Sequence, residues 1–438
     1  MYVEPAPEDF VAPKSDRVHA ILEAEIPDDN YQHWDKLRHM DPPGGLTHRE
    51  WWWMIKVRRR GQYRVLPLAD PAGRQFVYAI PDQVFRALHY VDQRCSGEIA
   101  MDEVVTADEQ AKGRYLVNSL MEEAIRSSQL EGATTSRQTA KALLRSGRPP
   151  KDRSERMILN NYRAMEFMRE GIGNRLTPEA ILELQRILTE GTLENPDAAG
   201  RLQRPGEERV AVYDRNDGEL LYEPPPAEQL EERMAALCAF ANDEGENGFV
   251  HPVVRAILLH FWIGYDHPFE DGNGRTARAL FYWYMRTHGY WLVEYLSISN
   301  ILRNAPAQYT RSYLYTETDS RDTTYFLIYQ LEVIRRAVEE LHVYLERKTR
   351  EVREVEELVQ GSTSFNQRQL ALLGHALREP GAAFSFNSHA SSHNVTHETA
   401  RSDLRQLVGQ GLLEEHRVGR GFSFTPAPEL SERLKDVA

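Results

Sequence analysis

The sequence predicts a mainly helical protein in three parts. A small α/β region spans 1–100, a helical core with one β-hairpin spans 101–345, and a linker helix with a compact tail spans 346–438. Three observations lead there. Apolar residues recur at helical spacing through most of the chain, as in Leu327, Leu331, Ile334, Val338, Leu341 and Leu345. Strand patterns bounded by turn residues occur only in short pairs. The tail sets three helix patterns ahead of one hairpin pattern.

Composition bounds the function. The chain is 41% hydrophobic and 27% charged, with a net charge of -13. That acidic balance argues against nonspecific binding to nucleic acid or anionic membranes as the task of the whole chain. At 438 residues the core is large, so the two cysteines, Cys95 and Cys238, need not form a disulfide framework. A cytoplasmic location is expected. No apolar run approaches the ~20 residues of a spanning helix, and the first residues lack a basic and then apolar leader.

Taken in order, residues up to about 28 are rich in Pro and charge and suit an arm or short helix. Trp51, Trp52 and Trp53 precede Arg58, Arg59 and Arg60. The expected reading is a helix burying part of the Trp cluster with arginine on its wet side; contact with nucleic acid or membrane is the alternative. Tyr63 to Leu68 and Gln75 to Ile80 suit strands about the turn Asp70-Pro71-Ala72-Gly73, and Gln83 to Tyr90 a helix. A helix from Ala107 to Leu130 carries Leu116, Leu120, Ala124 and Ile125, with Gly132 as its C-terminal stop. Further helices run through Ile158, Tyr162, Met165 and Met168, and after Thr177-Pro178-Glu179. Arg209 to Tyr213 and Glu219 to Glu223 read as a hairpin about Asp214 to Gly218, whose edge suits an extended target segment. A helix from Ala227 to Asn242 follows.

The chemistry concentrates in His267 to Arg278. A helix leads in, with Pro252 at its first turn and Val253, Val254, Ile257, Leu258, Phe261 and Trp262 on one apolar face; another leads out, Arg275 to His288. His267 is the side chain best able to take a proton near neutral pH. Asp271 is a hard oxygen ligand suited to Mg²⁺. Gly272-Asn273-Gly274 opens a helix N-terminus, where free N–H groups and the helix dipole attract phosphate. Arg275 and Arg278, three residues apart, share a face and can fork onto further phosphate oxygens. Together these describe a nucleoside triphosphate site.

The stretch closely resembles the signature of Fic-domain proteins, His-x-Phe-x-Asp/Glu-Gly-Asn-Gly-Arg-x-x-Arg, at every specified position. The resemblance implies transfer of AMP from Mg-ATP to a hydroxyl of Ser, Thr or Tyr on a target protein and on the chain itself. By position, His267 would be the general base, Asp271 would hold Mg²⁺, Gly272, Asn273 and Gly274 would form the anion hole, Arg275 would contact the β-phosphate and Arg278 the γ-phosphate. Phe269 would anchor the loop. The hairpin would be the flap that aligns the target, through Leu220, Leu221 and Tyr222. Ser127, Glu131 and Gly132 resemble the inhibitory Ser/Thr-x-x-x-Glu-Gly/Asn motif of relatives whose inhibitory helix precedes the core. Glu131 would then pair with Arg278 and deny it to the γ-phosphate. Tyr309 matches a tyrosine of the adenine pocket, while near Glu317 the chain departs from an asparagine of that pocket.

Thr323 to about Gln360 suits one long helix, charge-dense from Glu346 to Glu357, and Gly361 to Ser364 a linker. Helices at Phe365 to Arg378, near Ser388 and at Thr396 to Leu407, then strands at Leu412 to His416 and Gly421 to Thr425, form the winged-helix pattern. Its acidic and basic residues balance, so DNA and a protein partner, including a second copy of the chain, stand as equal candidates for the tail. The expected function is autoinhibited AMP transfer. The alternatives are a winged-helix DNA-binding regulator with a vestigial nucleotide site, a transferase of another phosphoryl group, and a pure interaction module.

Overall fold

The computed structural model describes residues 2–7, 13–24, 30–96, 109–170, 173, 175–213, 218, 220–244, 248–358, 365–379, 381–418 and 421–436. The first part holds α1 (Ser15–Glu23), α2 (Trp34–Leu37), α3 (His48–Arg60), β1 (Arg64–Ala69), β2 (Gln75–Tyr78) and α4 (Asp82–Cys95). A capping box starts α3: Glu50 N–H donates to Thr47 Oγ1 at 3.2 Å and Thr47 N–H to Glu50 Oε2 at 2.8 Å. Trp51 and Trp52 pack with Leu37, Leu46 and Ile55, so the tryptophans belong to a core. Arg58 and Arg60 are exposed, but Arg59 turns inward. It donates to Tyr325 Oη at 2.7 Å and lies over the Tyr31 ring. Lys56 is likewise buried, 2.7 Å from Asp319. The basic run is thus split between solvent and a buried polar junction.

The middle part holds α5 (Glu109–Leu130), α6 (Arg137–Ser146), α7 (Arg153–Glu170), α8 (Pro178–Thr189), β3 (Val212–Tyr213), β4 (Leu220–Tyr222), α9 (Leu230–Ala241), α10 (Pro252–Asp266), α11 (Asn273–Thr287), α12 (Ile298–Asn304), α13 (Pro306–Thr318) and α14 (Thr324–Leu358). Strands β3 and β4 pair antiparallel. They are shorter than the sequence pattern suggests, and the bend at 214–217 lies outside the described residues. Helix α6 is an addition to the sequence reading. Ser136 caps it and Gly147, at φ +63, ends it, but only Ala140 and Leu143 are fully buried, too few for a periodic signal.

Helices α10 and α11 form the centre of this bundle and pack on each other. Every residue from Val253 to Ile263 is buried, including Arg255 and His260. The expected single apolar face is therefore a helix enclosed on all sides. The surrounding core takes Leu66, Phe76, Val84 and Leu88 from β1, β2 and α4 together with Leu184, Leu237, Leu280 and Phe326. Among the described residues no helix is long and apolar enough to cross a membrane.

The tail holds α15 (Gln367–Arg378), α16 (Phe386–His393), α17 (His397–Gly409), β5 (Leu413–Val418), β6 (Gly421–Pro426) and α18 (Leu430–Asp436). Leu373, Leu404, Leu407, Leu412, Phe424 and Leu434 make its own core. The expected linker at 361–364 and the turn residues 419–420 lie outside the described residues. Phe384 adds one bridge to β6, with Phe384 and Phe424 exchanging both backbone hydrogen bonds at 2.8 Å. Asp403 is buried inside the tail, 2.6 Å from Arg368 and 3.1 Å from His389, where it ties α17 to α15 and α16.

Candidate active site between two central helices

The turn between α10 and α11 carries the site. His267 closes α10 in the left-handed region at φ +45, which a non-glycine residue seldom adopts. Its N–H bonds Ile263 O at 3.0 Å, and its Nδ1 lies 3.4 Å from Gly264 O. A carbonyl can only accept, so that nitrogen carries the proton and Nε2 keeps the free lone pair. Burial lowers the His267 pKa below the ordinary 6.5, with the Gly264 carbonyl pulling the other way. The imidazole is neutral at pH 7 and ready to accept a proton.

Phe269 is fully buried beneath the turn. Asn273 staples the loop across it: its Oδ1 accepts from Phe269 N–H at 2.9 Å and its Nδ2 donates to Phe269 O at 2.8 Å. The side chain of Asn273 is therefore spent on the backbone, and what Asn273 offers an anion is its N–H. Gly272 precedes α11 at φ +89 and no side chain caps the helix, which leaves the first amides and the positive dipole end open. A β-carbon at Gly272 would meet Thr189 Cγ2 at 3.0 Å.

Arg275 is 0% exposed. Its Nη1 donates to Leu188 O at 2.9 Å and its Nη2 to Asp271 Oδ1 at 3.0 Å. In this conformation it braces α8 and the acidic side chain, where the sequence reading put it on a phosphate. Asp271 Oδ1 also accepts from Gly272 N–H at 2.6 Å, and its Oδ2 has one long contact, 3.5 Å, to Arg153. One carboxylate oxygen thus faces outward. No cluster of three His, Cys, Asp or Glu ligands exists among the described residues. That donor set fits Mg²⁺ held by one carboxylate, with water and substrate phosphates completing the shell.

Arg278 is 1% exposed and fixed by α5. Its Nε donates to Ser127 Oγ at 2.9 Å, and its Nη2 to Ser127 O at 3.2 Å and Glu131 Oε1 at 2.8 Å. Burial opposes the charge of Arg278, yet Glu131 holds its pKa above the ordinary arginine value. The Glu131 carboxylate also lies against Gly274, where a β-carbon would overlap it. Gly132, at φ +99, lets the chain turn away after α5. Helix α5 itself is bolted down: Glu123 accepts from Ser297 Oγ at 3.0 Å and Ser299 N–H at 3.1 Å, and Ser128 Oγ donates to Met157 O at 3.2 Å.

Tyr309 Oη lies 2.9 Å from His260 Nε2, within the electrostatic reach of Arg278 and Glu131. On the hairpin, Tyr222 packs on Tyr265 with ring centroids 5.0 Å apart; Leu221 is half-buried and Leu220 exposed. The structure thus brings together His267, Asp271, Gly272, Gly274, Arg278, Ser127 and Glu131, and turns Arg275 and the Asn273 side chain to support.

Three supporting residues have no motif. Arg209 donates to Asp266 O at 2.8 Å, His267 O at 3.0 Å and Pro225 O at 2.8 Å, and it also bonds Gln203 Oε1. Gln203 N–H donates to Pro268 O at 3.0 Å. Gln185 donates to Asp271 O at 3.0 Å and accepts from Gly200 N–H at 2.5 Å. Together they clamp the hairpin root and the approach segment onto the His267 loop. Most of their partners are backbone atoms of other segments, so only a polar residue on the buried face of a helix, as at Gln185 beside Ile181, Leu184 and Leu188, hints at them.

The model of the Fic/DOC family matches residues 175–285. Over 57 residues, 13% of each chain, the sequence is 44% identical to Protein adenylyltransferase Fic of Nematostella vectensis. It is 28% identical over 168 residues to Protein adenylyltransferase fic-1 of Caenorhabditis briggsae, 37% of this chain and 31% of that one. It is 30% identical over 122 residues to a Uridine 5'-monophosphate transferase of Xanthomonas campestris, 27% of this chain and 22% of that one. These matches span less than a third of each relative's length. The structure of a Fic family protein from Desulfovibrio desulfuricans has a similar fold, with a TM-score of 0.51 and 18% identity over 80% of this chain and 97% of that one.

Proposed function

Starting from a chain that is a Fic-domain protein, we propose that it transfers AMP from Mg-ATP to a hydroxyl side chain of a protein, its own surface included, and that Glu131 holds this activity down. The single observation that supports it most is the neutral His267 beside an uncapped helix N-terminus whose inner arginine is held by a carboxylate.

In this reading the target hydroxyl approaches along β4, with Leu220, Leu221 and Tyr222 setting its register. His267 Nε2 takes the hydroxyl proton as the oxygen bonds to the α-phosphorus. The bond from that phosphorus to the bridging oxygen breaks, and pyrophosphate leaves. The amides of Gly272, Asn273 and Gly274 meet the charge that builds on the phosphate oxygens, the larger contribution in such transfers. Asp271 would hold a Mg²⁺, which would supply neutralisation of the phosphate charge. Arg275 orients Asp271, and Arg278, once freed, holds the terminal phosphate. Base catalysis of this kind contributes about 10²–10⁴-fold.

The test uses ATP labelled at one phosphorus at a time. Label from α-³²P on protein supports AMP transfer. Label from γ-³²P supports phosphorylation, and no label supports a binding module. The relative named for uridine 5'-monophosphate transfer supports a second reading, UMP transfer, which α-³²P-UTP in the same assay decides. We also propose a cytoplasmic location and the domain limits given by the sequence reading. The tail would be a winged helix whose exposed His397, Arg401 and Arg405 on α17 meet DNA or a protein; a salt-dependent mobility shift of duplex DNA separates the two.

A further inference from the structure

A cavity of about 510 Å³ opens between the start of α7 and the turn that leaves α8. Lys151, Asp152, Arg153 and Arg156 form one wall, and the turn from Gly191 to Glu194 forms the other. Local bonds fix both walls. Asp152 Oδ1 accepts from Glu155 N–H at 2.8 Å and so caps α7. Asn160 Nδ2 donates to Glu190 O at 2.8 Å, and Thr192 Oγ1 to Thr189 O at 3.0 Å. Gly191 turns the chain at φ +65, and the Arg156 side chain runs across it. A β-carbon at Gly191 would meet Arg156 Cδ at 3.0 Å.

Three cations and two carboxylates line this space, and they are not equally engaged. Asp152 spends one oxygen on its helix. Glu194 is exposed at the rim. The side chains of Lys151 and Arg156 make no hydrogen bond or ion pair with any described residue. Arg153 is shared with the candidate active site. Its Nε donates to Thr192 O at 2.8 Å, and its Nη2 lies 3.5 Å from Asp271 Oδ2. A good charge-assisted bond is about 2.7–2.9 Å long, so this guanidinium can turn to a closer anion. A preformed hollow with two unanswered cations and a third at its edge suits a small anion of multiple charge.

We propose that this cavity is a second anion site and takes inorganic pyrophosphate, a step that rests on the transfer reaction proposed above. That reaction releases one pyrophosphate for each AMP moved. The product leaves from beside Asp271, and Arg153 is the cation on the outer oxygen of that carboxylate. Arg153 passes from Asp271 to the departing anion, while Lys151 and Arg156 meet its remaining charge. Two linked phosphates can answer cations on two sides of a cavity, which a single carboxylate cannot. The cations keep part of their water, so the site holds the product weakly enough to let it go.

The test is equilibrium dialysis of ³²P-pyrophosphate against the full chain carrying Glu131→Gly, in excess Mg²⁺ and saturating α,β-methylene-ATP. That analogue cannot release AMP and keeps the phosphate loop filled. One pyrophosphate per chain should still bind. Arg156→Ala should weaken it about tenfold, the worth of one charge-assisted bond. Loss of both Lys151 and Arg156 to alanine should abolish it. Glu194→Gln should tighten it, because a repelling carboxylate is gone. All three side chains are exposed, so these variants keep the packing of the parent. No binding beside the analogue, or binding that these variants leave unchanged, overturns the proposal. So does sulfate that displaces the label as well as pyrophosphate does. Transfer of α-³²P label from ATP is followed in parallel. Bound pyrophosphate without any protein label supports the anion site and removes the transfer reading instead.

Discussion

Arg278 of α11 donates from Nη2 to Glu131 Oε1 at 2.8 Å, joining residues 147 positions apart. Ser127 holds the same guanidinium from the next turn of α5, and Arg278 Nη1 has no hydrogen-bond partner. The carboxylate occupies the space left by Gly274 at the mouth of the helix N-terminus. In the proposed function a terminal phosphate would compete with this carboxylate for one cation in one place, and like charge would keep them apart.

Glu131→Gly should raise α-³²P labelling on the order of tenfold to a hundredfold, the worth of a charge-assisted hydrogen bond in a buried site. It should also lower stability by about 3 kcal/mol, because Arg278 is left buried without its partner. Labelling assays and urea unfolding read the two effects. Unchanged labelling would reduce Glu131 to a plain helix end.

Gly274→Ala should expel Glu131, since the new methyl overlaps its carboxylate. A double-mutant cycle with Glu131→Gly measures the clash. We expect an interaction energy of about 1–3 kcal/mol, with Gly274→Ala milder in the Glu131→Gly background. Additive unfolding energies would place the carboxylate elsewhere.

His267→Ala should abolish labelling while ATP still binds, because the amides and arginines remain. In the proposed reaction the neutral imidazole would be the working form, and burial lowers the His267 pKa below 6.5. Activity should therefore hold as pH falls through 6.5 and decline only below it. A rate that halves above pH 6.5 contradicts a buried, neutral base.

Arg209→Ala should lower kcat on the order of tenfold to a hundredfold with little change in ATP binding, since it loosens the hairpin root and the His267 carbonyl together. Arg209→Lys should not restore the rate, because one ammonium cannot span the three carbonyls that the planar fork reaches. Full rescue by lysine would show that charge alone matters.

Burial raises the Glu317 carboxyl from 4.5 to about 8, so the folded state favours its protonated form. Its stabilising contribution is complete below pH 4.5 and is lost as pH rises through 8. Glu317→Gln should therefore gain Tm over the parent between pH 5 and 8 and match it near pH 4. Parallel Tm curves would mean that the carboxyl is solvated.

Much of this was legible in residue order. The helical spacing, the capped start at Thr177-Pro178, the turn at Asp70 to Gly73 and the unbroken stretch from His267 to Arg278 are local patterns, each set by neighbours within a few residues. Ser127 and Glu131 were legible too, through a motif whose partner lay far downstream. By itself the sequence determined most of the long helices, though not α6, that a base, an acid, two glycines and two arginines lie within twelve residues, and that Glu131 follows the end of α5.

Only the tertiary structure decided how those residues divide the work. Arg275 and Arg278 look equivalent on the page, but α8 presents a carbonyl to one and α5 a carboxylate to the other. Arg59 and Arg58 are neighbours in one basic run, yet only Arg59 meets Tyr325. Arg209 and Gln185 carry no motif, because most of their partners are backbone atoms that the fold brings near. A side chain's chemistry is written in its own atoms, but its desolvation and its partners belong to whatever the fold packs against it.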